Sequence, residues 1–137
     1  MNECINWWNT DMDNQEVSAM SSAIKNRKIG MSSITEDFEK DISKLLKVPY
    51  VVATPSGSVA LYMSLMVLGI GKGDEVIVPD RTFIATAHAV QLTGATVVLV
   101  DVNENNTKIN ISKIEKKITS KTKAIIPVHL NGRAVNM

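Results

Sequence analysis

The sequence is poor in cysteine and in net charge. Cys4 is the single cysteine among 137 residues, which excludes a disulfide framework and a metal site built from cysteines. Fifteen Lys and Arg residues nearly balance fourteen Asp and Glu residues, so the formal net charge is only +1. A chain this balanced lacks the positive charge that attracts a nucleic-acid backbone or an anionic membrane surface. We therefore expect neither nucleic acid nor a membrane as a partner.

Long hydrophobic runs are missing as well. The longest apolar-looking stretch, 59–70, is interrupted by Tyr62, Ser64 and Gly69 and is too short to cross a bilayer. The first residues contain neither a basic start nor an apolar signal stretch. At 45% hydrophobic residues, the chain still has enough apolar material for the core of one ordinary domain. These features predict a folded, soluble, cytoplasmic protein.

Two regions with different hydrophobic patterns follow each other along the chain. Residues 1–49 are predicted to form a helical segment, with helices over 13–25 and from Ser33, whose spacing to Glu36 is that of a capping box. Asp80 or Thr82 is expected to cap a later helix. From residue 50, strands and helices alternate, with strands predicted at 50–54, 75–79, 97–102 and 124–130 and helices at 57–68, 82–92 and 111–118.

Some of the predicted strands are apolar throughout, as in Val76-Ile77-Val78. This pattern is typical of strands covered on both faces, and it predicts an α/β fold with a mostly parallel sheet and helices on both faces. Ligands bind beyond the carboxyl ends of the strands in such sheets. The sequence stops at Met137, soon after the last predicted strand. We therefore expect residues 50–137 to form an incomplete domain.

A small glycine-containing turn, Thr54-Pro55-Ser56-Gly57-Ser58, joins the predicted strand at 50–54 to the next helix. The free N–H groups and the dipole of a helix N-terminus favour an anion there, and Gly57 permits a close approach. An ordinary helix cap explains the same residues without a ligand. The turn lacks the Gly-Lys-Ser/Thr ending of a nucleotide-hydrolysing phosphate loop and the Gly-x-Gly-x-x-Gly pattern of a dinucleotide site.

Other candidate functional residues lie near the predicted strand ends. Phe83 follows the strand at 75–79, where its ring is expected either to form the flat wall of a cofactor pocket or to lie in the core. His88 and His129 have no second ligand at metal spacing, so we predict no metal site.

Taken in order, the motifs of the chain resemble one family, the pyridoxal-phosphate sugar aminotransferases of the DegT/DnrJ/EryC1/StrS type. The resemblance rests on the ordered set of motifs, each of which is unspecific alone. The set comprises Gly57-Ser58 with Ala60-Leu61, the run from Leu68 to Pro79, Thr82-Phe83-Ile84-Ala85-Thr86, Gly94-Ala95, Val100-Asp101-Val102, the run from Thr122 to Leu130, and Gly132.

The resemblance implies part of a fold-type-I aminotransferase large domain at residues 50–137, behind an N-terminal helical segment at 1–49. It further implies pyridoxal 5'-phosphate as cofactor, a nucleotide-linked keto-sugar as substrate, glutamate as amino donor, and a homodimer in the full-length parent. By position, Gly57, Ser58 and the Val59 amide match the turn that holds the cofactor phosphate, and Phe83 matches the aromatic residue that stacks on the pyridine ring. Ser58 stands where the family usually has Thr and keeps the hydroxyl.

The family's pyridine-nitrogen Asp and Schiff-base Lys have no counterpart among these residues. We therefore assign no catalytic residue and expect the chain alone not to transaminate. Two alternatives stay open. One is a dehydratase of the same family, which uses pyridoxamine phosphate and has His in place of the Lys. The other is a non-catalytic α/β binding module.

Overall fold

The computed structural model describes residues 10–137; Cys4 lies outside them. The chain divides into two compact units, Met1–Ala53 and Thr54–Met137. In the described part of the first unit, two helices are present, α1 at Asn14–Lys25 and α2 at Ser33–Leu46. The second unit combines helices with a three-stranded sheet.

Helix α1 begins with a capping box. The Asp13 carboxylate accepts from the Gln15 N–H, and the Glu16 carboxylate accepts from the Asp13 N–H. The capping box predicted for α2 is wrong, because Ser32 occupies the cap position and makes no side-chain cap bond. Ser33 is the first helical residue, and its hydroxyl instead accepts a 3.0 Å hydrogen bond from the Lys28 ammonium.

The strand predicted at 50–54 is absent from the described structure. Tyr50 and Val52 are exposed, and the Ala53 N–H donates to the Glu39 carboxylate at 2.7 Å instead of to a neighbouring strand. A run of apolar residues becomes a strand only where another strand pairs with it. The segment therefore has the composition of a strand but no partner strand to which it is hydrogen-bonded.

The second unit contains three helices and three strands. Their bounds are α3 at Gly57–Val67, β1 at Glu75–Pro79, α4 at Ala85–Leu92, β2 at Thr96–Val100, α5 at Ile111–Ile114 and β3 at Thr122–Ile125, with a 3-10 turn at Glu115–Lys117 after α5. The predicted bounds of β1 agree with the structure. Helices α4 and α5 are shorter than predicted, and β3 begins earlier and ends five residues sooner.

Proline limits β3. Its ladder with β1 pairs Ile77 with Ile125, and the Ile126 N–H still donates to the Ile77 carbonyl at 2.9 Å. The next rung requires an N–H at Pro79, which proline lacks. The chain leaves the sheet at that point, although residues 126–130 are apolar enough to have predicted a longer strand.

Neither predicted cap residue begins α4. Its N-cap is Ile84, without a side-chain cap bond. The Asp80 carboxylate accepts from the Val102 N–H, and the Thr82 hydroxyl shares a 2.9 Å hydrogen bond with the Thr86 hydroxyl. Both polar side chains are thus engaged elsewhere, and α4 starts three residues later than the sequence pattern indicates.

The sheet has the order β2-β1-β3, and both pairings are parallel. Val76 and Val78 pack with residues of α3 and α4, whereas Ile77 packs on the opposite face with Val100 and other buried residues, partly against α5. Helices α3 and α4 therefore cover one face, and α5 contributes to the cover of the other through Ile114. Because the strands are parallel, β1 and β2 both end at the same edge, which positions the segments after Pro79 and Val100 side by side.

The buried position of Ile77 provides a test of this packing. Its side chain is 0% exposed, so Ile77→Ala should lower the free energy of unfolding by roughly 2–5 kcal/mol. Ile118→Ala is the matched control, because Ile118 is 53% exposed and its truncation should change stability by less than about 0.5 kcal/mol. Urea denaturation of both variants measures the difference. Equal losses for the two substitutions would contradict the packing described.

Thr107 is a strained position. Its φ is +57° although it is β-branched, and its buried hydroxyl has no hydrogen-bond partner among the described residues. Thr107→Gly should raise the unfolding free energy by about 1 kcal/mol, because relief of the backbone strain exceeds the added chain entropy of glycine. Thr107→Ala keeps the strain and removes only the hydroxyl and the branch. If the alanine variant gained as much stability as the glycine variant, the backbone would not be the cause.

Candidate functional site

The turn before α3 presents an open helix N-terminus. Ser56 is the N-cap, and its hydroxyl accepts a 3.3 Å hydrogen bond from the Val59 N–H. Its carbonyl accepts from Ala60 N–H at 3.0 Å and from the Thr54 hydroxyl at 3.0 Å. These bonds hold the turn in one conformation. The helix cap considered from the sequence is therefore present, with Ser56 as the cap residue and the Val59 N–H as the donor.

Two further amides of the same turn, those of Gly57 and Ser58, are unpaired within residues 10–137. Both residues are exposed. A Cβ atom added at Gly57 would meet nothing within 4 Å, so the space beside the turn is open. The first turn of α3 contains no acidic residue to offset the helix dipole.

These features fit a phosphate group. Its oxygens are acceptors, and the turn offers the N–H groups of Gly57 and Ser58, the Ser58 hydroxyl, and the positive end of the dipole. The Val59 N–H is available only if its long bond to Ser56 is shared or released. The assignment of Gly57, Ser58 and Val59 to a cofactor phosphate stays a prediction.

Phe83 lies in the segment between β1 and α4. Its side chain is 74% exposed, and it belongs to neither hydrophobic cluster. The Phe83 carbonyl accepts from the Thr86 N–H at 3.0 Å, so its main chain is bonded to α4 while the ring is free of the core. An exposed aromatic ring offers a flat apolar face for stacking. Its role toward a cofactor ring remains a prediction.

An ion pair lies at the carboxyl end of β2. The Lys113 ammonium donates to the Asp101 carboxylate. This hydrogen bond and the charge of Lys113 lower the pKa of Asp101, and the same contact raises the pKa of Lys113. Both side chains are at least half exposed, so this ion pair is a surface contact that contributes little to stability.

Histidine makes a structural contact in this unit. His129 Nδ1 accepts from the Val135 N–H at 3.0 Å, and Val135 belongs to the buried cluster around Ile77. His88 is exposed on α4. Among the residues that the structure describes, no three His, Cys, Asp or Glu side chains are grouped to hold a metal ion. No helix within 10–137 is both long and apolar enough to span a membrane.

A family model describes the chain over nearly its whole length. The DegT/DnrJ/EryC1/StrS aminotransferase family matches residues 10–137. Among curated relatives, GDP-perosamine synthase of Escherichia coli O157:H7 is 44% identical over 102 residues, which are 74% of this chain and 28% of that protein. The 3-oxo-glucose-6-phosphate:glutamate aminotransferase of Bacillus subtilis is 39% identical over 121 residues, or 88% of this chain and 27% of that enzyme.

Solved structures agree with the sequence match. A Streptococcus pneumoniae protein in its PLP form superimposes with a TM-score of 0.88 at 32% identity, covering 96% of this chain and 34% of that protein. The same protein in its PMP form gives the same score. The chain thus spans about a third or less of the length of these proteins. Its architecture is that of the corresponding part of a fold-type-I aminotransferase, and the chain belongs to the DegT/DnrJ/EryC1/StrS aminotransferase family.

Proposed function

We propose that this chain supplies the cofactor-phosphate turn and the ring-stacking wall of an aminotransferase that acts on a nucleotide-linked keto-sugar. The observation that carries the proposal is the open N-terminus of α3, where Gly57 and Ser58 are exposed and their N–H groups have no hydrogen-bond partner within residues 10–137, in a chain of this aminotransferase family. In this proposal, residues 1–49 are the N-terminal helical segment and residues 50–137 are part of the cofactor-binding large domain.

The names of the relatives support the substrate and donor classes. The Escherichia coli relative is named for a GDP-linked sugar, and the Bacillus subtilis relative is named for a keto-sugar phosphate and glutamate. We therefore propose a nucleotide-linked keto-sugar with glutamate as amino donor. The names do not favour the dehydratase alternative, because both describe synthases or aminotransferases.

The residues of this chain would bind and orient the cofactor. The Gly57 and Ser58 amides would hold the phosphate, aided by the Ser58 hydroxyl and, when it leaves Ser56, by the Val59 amide. The Phe83 ring would lie against the pyridine ring and exclude water from that face. When bound, pyridoxal 5'-phosphate supplies the electron sink for transfer of the amino group. We assign no residue of this chain to proton transfer.

The proposed setting is a homodimer in the cytoplasm. Helix α3 is mostly apolar, and Met66 and Val67 are exposed. A helix with this composition is normally buried, so a further protein surface is expected to cover it. A second subunit would satisfy that requirement in the whole protein.

The phosphate turn is tested by removing one amide. Proline is well tolerated at the first helical position, and the extended conformation of Ser56 suits a following proline. Gly57→Pro therefore removes one N–H donor without breaking α3, whereas the control Gly57→Ala keeps that donor. Loss of one hydrogen bond should weaken binding of pyridoxal phosphate about threefold to tenfold in the proline variant alone.

Amide chemical shifts at millimolar pyridoxal phosphate give the affinities. In the unaltered chain, the amides of Gly57 and Ser58 should move most. If those amides did not respond while the chain was folded, the phosphate assignment would be wrong, and a non-catalytic binding module would become the better description.

Phe83 is tested by truncation. Because its ring is 74% exposed, Phe83→Ala should change the free energy of unfolding by less than about 0.5 kcal/mol while weakening binding of pyridoxal phosphate. Ile84→Ala is the matched control, since Ile84 is adjacent and 57% exposed; Phe83→Tyr keeps the ring and should restore binding. A loss of roughly 3–5 kcal/mol in the free energy of unfolding would instead show that the Phe83 ring is packed in the core.

A further inference from the structure

The rung of the sheet that follows Pro79 is completed by a side chain. The register pairs Pro79 with Val100, and the Asp80 N–H continues the parallel ladder by donating to the Val100 carbonyl at 2.9 Å. In a parallel ladder the next bond runs from the Val102 N–H to the main-chain carbonyl of Asp80. Here the Val102 N–H donates to Asp80 Oδ1 instead, at 3.1 Å.

This replacement lets the chain leave β1 abruptly. The carboxylate satisfies the N–H of Val102, so the main-chain carbonyl of Asp80 is free to turn away without leaving that donor unpaired. Val102 is itself held, because it pairs in an antiparallel bridge with Ile109, a buried residue of the core. Asp80 therefore joins the segment that leaves β1 to Val102, whose own position is set by its bridge to Ile109.

Phe83 lies within the segment that Asp80 fastens. At the far end of that segment, the buried Thr86 donates its N–H to the Phe83 carbonyl, and its hydroxyl bonds to that of Thr82. The Phe83 ring is mostly exposed, so core packing does not fix its place. Its position depends on the hydrogen bonds at the two ends of the segment.

We infer that Asp80 is a positioning residue that orders the segment carrying Phe83 by completing the sheet rung at Val102, which pre-forms the ring wall of the cofactor site. The part of this inference that concerns the cofactor rests on the proposed function. In this role Asp80 acts through its hydrogen bond with the Val102 N–H and is assigned no contact with the cofactor.

Charge is the competing explanation. Asp80 lies near enough to Lys113 for its carboxylate to raise the pKa of that ammonium group, after the larger contributions of Asp101 and Glu104. Asp80→Asn removes the charge and keeps an oxygen that accepts from the Val102 N–H. Asp80→Ala removes both. A difference between these two variants therefore assigns the effect to the hydrogen bond.

Glu75→Ala is a control at the other end of the same strand. The Glu75 carboxylate accepts from the Thr119 hydroxyl at 2.6 Å, so this variant also loses one carboxylate hydrogen bond at a strand terminus. It lies at the amino end of β1, away from the segment with Phe83. A general loss of stability would affect the Glu75 and Asp80 variants alike.

The first measurement needs no cofactor. Backbone NMR order parameters of residues 82–84 should fall from about 0.85 to below about 0.6 in Asp80→Ala and stay near the value of the unaltered chain in Asp80→Asn and Glu75→Ala. The second measurement is the affinity for pyridoxal phosphate. If the ordered segment falls to about a fifth of the population, binding should weaken about fivefold in Asp80→Ala alone.

The two measurements test the role of Asp80 and its link to the cofactor separately. Unchanged order parameters in Asp80→Ala, or the same loss in Asp80→Asn, would overturn the inference. Disorder in Asp80→Ala with undiminished affinity would overturn its link to the cofactor site. If the unaltered chain bound no pyridoxal phosphate, the proposed function would fail, whereas the order parameters would still decide whether Asp80 fixes the segment.

Discussion

Strand β1 is paired on both edges and buried on both faces, and the rest of the second unit is arranged around it. Ile77, Val76 and Val78 are fully buried, with α3 and α4 on one side and the cluster of Val100, Ile109 and Val135 on the other. Because both pairings are parallel, the carboxyl ends of the strands lie at one edge. The segment that carries Phe83 can leave the sheet only there.

The burial of β1 and the exposure of the candidate site follow from the same arrangement of strands and helices. The apolar side chains stabilise the sheet, and the polar groups of the site are left at the ends of elements, where the regular hydrogen-bond pattern stops. The amides of Gly57 and Ser58 are free because a helix cannot pair its own first N–H groups. The Val102 amide would be free for a similar reason, and Asp80 satisfies it.

Most of the fold follows from the hydrophobic patterns of the sequence. Where the prediction is wrong, the error has a physical cause. Three consecutive apolar residues in β1 gave its bounds correctly, because burial on both faces needs that composition. The strand at 50–54 was wrong, since composition does not show whether a partner strand exists. The end of β3 depended on the missing N–H of Pro79, which acts across the sheet and not along the chain.

The candidate site likewise contains residues that the sequence indicates and one contact that it does not. Motifs close together in sequence and the family resemblance indicate Gly57, Ser58 and Phe83. The bond from Val102 to the Asp80 carboxylate joins residues 22 positions apart, and it follows only from the register of β1 with β2. The sequence suggested Asp80 as a helix cap, which is the usual local role of such a residue.

The most direct measurement is a crystal structure of the chain with pyridoxal phosphate bound. The phosphate oxygens are predicted to lie about 2.7–3.2 Å from the amide nitrogens of Gly57 and Ser58, with the pyridine ring against Phe83. A phosphate bound elsewhere, for example at the lysines of α5 and of the 3-10 turn after it, with the α3 turn vacant and Phe83 without a stacked ring, would contradict the proposed site.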